Sequence, residues 1–183
     1  MIKCFLSHSS RDKEQYVRVV AKHLRREVVV LDEATFEHGM VTAEEIANGL
    51  DESVLFVIFL SSAALDSEWV KNELASAKSR FDEQKIQRIY PVIIDRTVKH
   101  DDPRLPTWMR ETLNIQPIYA PTIAARKINA RLLELSWKLH PRLRERKEIF
   151  VGRNDLTDKV EERLDDFARE PIVALVASGL PAI

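Results

Sequence analysis

Apolar residues along this chain fall into two rhythms that take turns. Short, mostly apolar runs at 4–6, 28–31, 54–60, 89–94 and 115–119 alternate with longer stretches in which apolar residues recur every three or four positions. The first rhythm predicts strands inside a sheet, the second amphipathic helices. Tyr16, Val19, Val20 and Leu24 make one helical stripe within 12–24, and Ile46 and Leu50 another. Val70, Leu74, Ala77 and Phe81 form a third, a short helix is expected over 106–113, and Ile128, Leu132, Leu135 and Leu139 stripe residues 122–139. Thr42-Ala43-Glu44-Glu45 fits a capping box, and Asp66 or Ser67 is placed to cap the helix that carries Trp69.

Strands alternating with helices predict an α/β fold: a flavodoxin-like five-stranded parallel sheet with helices on both faces and right-handed crossovers. The natural strand order is 2-1-3-4-5. The chain then reverses direction between strands 1 and 3 and opens a crevice at the strand carboxyl ends. Strand 1 runs out into Ser7-His8-Ser9-Ser10, and strand 3 leads to Trp69 and Glu73. Topology alone therefore sends both groups to one cleft.

Trp69 and Glu73, four residues apart, stack on one side of their helix at the edge of its apolar stripe. The pattern predicts a carboxylate half out of water with an indole beside it. Each residue also has a plainer reading. Glutamates on amphipathic helices are mostly solvated, a rim tryptophan needs no ligand, and Ser-His-Ser-Ser is a good turn and helix cap. Their convergence on one cleft is what marks them as a candidate site.

Past Leu139 the character changes. Residues 141–149, with Arg-Leu-Arg-Glu-Arg-Lys at 142–147, read as a charged linker between a first domain, 1–140, and the start of a second, 150–183. In the second, Leu156, Val160, Leu164 and Phe167 stripe a helix, and 172–176 reads as a buried strand. Gly179 fits the opening of a phosphate-loop pattern, and the positions where the second glycine and the lysine would come lie past Ile183, so no nucleotide grip is expected within these residues. The alternative is a last strand completing the first domain.

Composition excludes more than it assigns. Lys and Arg total 28 against 29 Asp and Glu, with no long basic run, which argues against a nucleic-acid partner. No apolar segment is long enough to span a membrane and the opening run is too short for a signal peptide, so a soluble cytoplasmic protein is expected. The lone cysteine, Cys4, reads as a small core residue. No Gly-x-Gly-x-x-Gly follows strand 1, which argues against a dinucleotide dehydrogenase. A phosphate-accepting receiver would want acids where Ser7-His8 and Ser61-Ser62 stand.

Three motifs in order, Phe5-Leu6-Ser7-His8-Ser9, the loop with Asp32, Glu37 and Gly39, and Ser61 followed by Trp69-Val70-Lys71-Asn72-Glu73-Leu74, make residues 1–140 resemble a TIR domain. The stretch from Phe150-Val151-Gly152-Arg153 onward resembles the entry to a STAND-type signalling ATPase. The resemblance implies NAD+ as substrate, cleaved with Glu73 as the catalytic residue and Ser7, His8, Ser9, Glu37 and Trp69 around the substrate. It implies no separate cofactor and no metal. It further implies self-association through loop 32–41 and a setting in bacterial anti-phage signalling. Some active members carry basic residues where this chain has His8 and Ser9. Adaptor-type members recruit other TIR domains without cleaving anything, and many of them lack the glutamate.

Overall fold

Five parallel strands pair in the order β2-β1-β3-β4-β5, as the sequence pattern requires: β1 (Cys4–Ser7), β2 (Val29–Val30), β3 (Leu55–Leu60), β4 (Arg88–Ile93) and β5 (Gln116–Pro117). The computed structural model describes residues 2–25, 28–30 and 43–139, the side chains of 43–45 excepted, and these belong to one unit, Met1–His140. Leu31, Glu37 and the rest of loop 32–41, the capping box of Thr42 and Glu45, the linker 141–149 and segment 150–183 lie outside the described residues.

β3 is the axis of the sheet. All its side chains are buried, and they alternate between two layers. Leu55, Val57 and Phe59 pack with α1 (10–22) and α6 (Pro121–Leu139). Helix α1 covers 10–22 as a 3-10 turn (Ser10–Asp12), a wide π turn (Lys13–Val17) and an α segment (Arg18–Lys22); α6 is Pro121–Leu139. Phe56, Ile58 and Leu60 point the other way, toward α2 (Ala43–Asp51), α3 (Ser62–Asp66), α4 (Glu68–Asp82) and α5 (Thr107–Thr112). Phe5 stacks on Phe56 with ring centres 5.8 Å apart, and Tyr16 meets Phe59 edge-on at 5.6 Å. Each buried side chain of this size stabilises the fold by about 1.5–3 kcal/mol, so the strand anchors both layers at once.

Differences from the expected elements have local causes. The stretch after β3 was expected to be one helix beginning near Asp66 or Ser67. It is two, because two serines cap. Ser61 accepts from the Ala64 N–H at 3.0 Å and opens α3, and Ser67 accepts from the Val70 N–H at 3.4 Å and opens α4. β5 shrinks to two exposed residues at the sheet edge, one of them a proline with no N–H to donate. Phe81, expected on the buried stripe, is 38 % exposed and sits in the last turn of α4. The other stripe residues, Val70, Leu74 and Ala77, are buried as expected. Among the described residues no helix is long and apolar enough to cross a membrane.

The contrast between the two phenylalanines is measurable. Phe59→Ala is expected to lower unfolding free energy by about 3–5 kcal/mol in urea titrations, by removing the ring that β3 packs against Tyr16. Phe81→Ala is expected to stay within about 0.5 kcal/mol of the parent.

Candidate functional site

Ser7 closes β1 and is paired in register with Ile58 of β3, so its side chain shares the α2–α5 side of the sheet with the Ile58 side chain. α4 begins at its Ser67 cap and places Trp69 in the first turn and Glu73 in the next. These three residues meet. The Ser7 hydroxyl donates to Glu73 Oε2 at 2.6 Å, and the Trp69 indole Nε1–H donates to Glu73 Oε1 at 2.9 Å. Each carboxylate oxygen thus accepts from a donor, one from the preceding turn of its own helix and one from the tip of the opening strand.

Glu73 is deeper than its helix position suggests. The sequence predicted a carboxylate half out of water; in the fold it is 4 % exposed, while Trp69 stays half-buried. Burial of this kind needs hydrogen-bond donors in place of water. The Ser7 hydroxyl and the indole N–H supply them, and neither is visible from the hydrophobic period of α4 alone.

His8 and Ser9 are also buried, and both bond locally. His8 Nδ1 lies 2.9 Å from the Leu6 carbonyl oxygen, which only accepts, so Nδ1 carries the proton. Its Nε2 is buried and, among the described residues, has no hydrogen-bond partner. Burial pushes the His8 pKa below the usual imidazole value; the Leu6 carbonyl opposes this, and the nearby Lys13 charge adds to it. The Ser9 side chain accepts from the Arg11 N–H at 3.3 Å and caps the first turn of α1. The expected site residue Glu37 lies outside the described residues.

Two aspartates that sequence reading passed over grip the turn leading to Glu73. Ser61 Oγ donates to Asp12 Oδ2 of α1 at 2.5 Å while capping α3, and the Ser62 N–H donates to Asp95 Oδ2 at 3.0 Å. Burial raises the Asp12 pKa, the Ser61 hydrogen bond pulls it back, and the Asp95 charge pushes it up again. Backbone N–H groups of Thr97 and Ser62 hold Asp95 below the usual carboxylate range. Asp95-Arg96-Thr97 directly after a strand is an Asx-turn sequence, a signal that was available. The arrangement offers one oriented, buried carboxylate at the carboxyl end of the sheet. Among the described residues no group of three or more His, Cys, Asp or Glu is placed to hold a metal ion.

Residues 4–121 match the family model described as "TIR domain". Among curated proteins, the chain is 34 % identical over 86 residues to "NAD(+) hydrolase TcpC" of Escherichia coli O6:H1, covering 45 % of this chain and 28 % of that protein. It is 37 % identical over 78 residues to "NAD(+) hydrolase TirS" of Staphylococcus aureus, covering 42 % and 28 %. It is 28 % identical over 122 residues to "2' cyclic ADP-D-ribose synthase AbTIR" of Acinetobacter baumannii, covering 66 % and 39 %. The chain therefore spans less than two fifths of the length of these relatives.

Two stability measurements probe the site. Ser7→Ala removes one donor to a buried carboxylate and is expected to destabilise the protein by about 1–3 kcal/mol in denaturant titration. His8 has a depressed folded pKa, so below about pH 6.5 the unfolded chain takes up its proton first. Stability is expected to fall as pH drops from there to the folded value, with a slope from this group of at most about 1.4 kcal/mol per pH unit. His8→Asn should remove that contribution, and an unchanged pH–stability curve in the variant contradicts the assignment.

Proposed function

This chain belongs to the TIR domain family, and from the placement of Glu73 within that fold we propose that it is an NAD+ glycohydrolase, cleaving the bond between nicotinamide and ribose. The observation that carries the reading is a single carboxylate, buried and held by Ser7 and Trp69 at the carboxyl ends of the strands. The names of the bacterial relatives, two NAD(+) hydrolases and a cyclic ADP-ribose synthase, support it.

The chemistry suits one acid. The nicotinamide of NAD+ is a pyridinium, so when its bond to the ribose breaks the electron pair goes to the ring nitrogen and neutral nicotinamide leaves without being protonated. The ribose is left as an oxocarbenium-like cation. Glu73 offsets that developing charge and hydrogen-bonds the ribose hydroxyls. Water adding at the cationic carbon, with loss of a proton, gives ADP-ribose; attack by a hydroxyl of the same molecule gives a cyclic product. Ser7 and Trp69 keep the carboxylate aimed, and His8, Ser9 and Glu37 complete the surroundings of the substrate. In this reading the enzyme works in the cytoplasm of a bacterium as an immune effector. It is switched on by self-association through loop 32–41, with 150–183 opening the ATPase domain that drives clustering.

Glu73→Gln is expected to cut nicotinamide release by about a hundredfold or more, with the thermal transition retained. The assay is chromatography of NAD+ reactions with protein clustered through a fused oligomerising tag. Equal rates for parent and variant sink the glycohydrolase reading and leave a docking module.

A further inference from the structure

The side of α4 opposite Glu73 faces a second feature. A groove of about 610 Å3 runs between α4 and the 103–108 segment that leads into α5. That volume suits a small organic ligand. Trp69 and Glu73 do not line it; Lys71, Leu74, Ala75 and Lys78 do, as the helical period requires. Its floor is apolar: Ile58 and Leu60 of β3, Leu65 of α3, and Val70 and Leu74 of α4. Trp108, partly buried against the same core layer, forms the far wall.

The rim has the opposite character. Lys71 and Lys78 stand on the α4 side, Arg104 and Arg110 on the other. Lys71 and Lys78 have exposed acid partners, Glu68 at 2.6 Å and Asp82 at 2.5 Å, while Arg104 is held by Asp66 at 3.0 Å and by the largely covered Asp102 at 2.9 Å. The two lysine pairs are solvated and therefore weak, so their ammonium groups can turn to another anion, whereas Arg104 stays on Asp102. Arg110 donates to Thr107 Oγ1 at 3.3 Å and, among the described residues, pairs with no carboxylate. The Lys78 ammonium also lies 5.4 Å from the Trp108 ring centre, bridging the groove from α4 to α5.

An apolar trough with Arg110 uncommitted at its rim, and two weakly paired lysines across from it, matches one ligand chemistry. We propose that this groove binds a hydrophobic carboxylate, a small molecule whose apolar body lies on β3 and α4 and whose anionic head meets Arg110 and its neighbours. The proposal is independent of NAD+ cleavage, because the groove and the Glu73 clamp occupy opposite sides of the same helix.

Decanoate, below its micellar concentration, is the probe, titrated into the 15N-labelled full chain. The indole signals of Trp108, Trp69 and Trp137 are followed separately alongside the backbone amides. Trp108 and the amides of 71–78 are expected to shift along one saturable isotherm, with Kd of about 1 mM or tighter. Ala75→Trp, which fills the groove from an exposed helix position, should weaken binding about tenfold or more. Arg110→Glu and the uncharged analogue decanol should each lose severalfold. Shifts that do not saturate, that spare Trp108, or that persist unchanged in both variants overturn the site. Decanol binding as tightly as decanoate overturns the assignment of an anionic ligand.

Discussion

A carboxylate taken out of water has to find its hydrogen bonds elsewhere, and in this fold that requirement ties the ends of the chain's first strand to its fourth helix. Glu73 is buried to 4 % exposure, and its two described donors come from different levels of structure. Trp69 lies one turn back on α4 and needs only a helix to reach it. Ser7 is 66 positions away and needs the sheet. Losing either donor leaves a buried charge short of a partner, which costs more than the hydrogen bond itself contributes.

The rest of the structure can be understood as what keeps Ser7 and α4 in reach of each other. β1 and β3 are paired from Cys4↔Leu55 to Ser7↔Ile58, so the serine is fixed in register with the strand that feeds the helix. Beyond β3 the chain turns at Ser61 and Ser62, and that turn is gripped from both flanks, by Asp12 of α1 and by Asp95 after β4. The Tyr16 hydroxyl donates to the Ile118 carbonyl and ties α1 to the far edge of the sheet. Packing supplies the stiffness: the side chains of β3 are buried in both layers, and a close-packed interior transmits position rather than absorbing it.

How legible this was from the sequence depended on range. The strands and the 2-1-3-4-5 order follow from a two-beat pattern that every strand-and-helix unit repeats, and Trp69 and Glu73 meet by simple helical spacing. The depth of Glu73 was not legible, since the period of α4 places it at a boundary and only the Ser7 hydroxyl, arriving from another element, makes full burial tolerable. Nor was the split of the α3–α4 stretch. Ser61 and Ser67 are both competent caps, and only the fold, by supplying Asp12 and Asp95 as partners for the first turn, uses both. Phe81 errs in the other direction: its period is right, but in the last turn of α4 it stays 38 % exposed.

The chemical nature of the two donors matters as much as their number. Elsewhere among the described residues, acids such as Asp51, Asp82 and Glu134 pair with Arg80, Lys78 and Arg88, and those pairs sit where water screens them. Ser7 and Trp69 are neutral. They fix the direction of the Glu73 oxygens without cancelling their charge, in a place where little solvent intervenes. A cationic donor at either position would hold the carboxylate equally well and annul its potential. Two uncharged donors orient the carboxylate without adding a positive charge of their own, and an oriented carboxylate in a poorly screened setting is suited to stabilise a cation forming beside it.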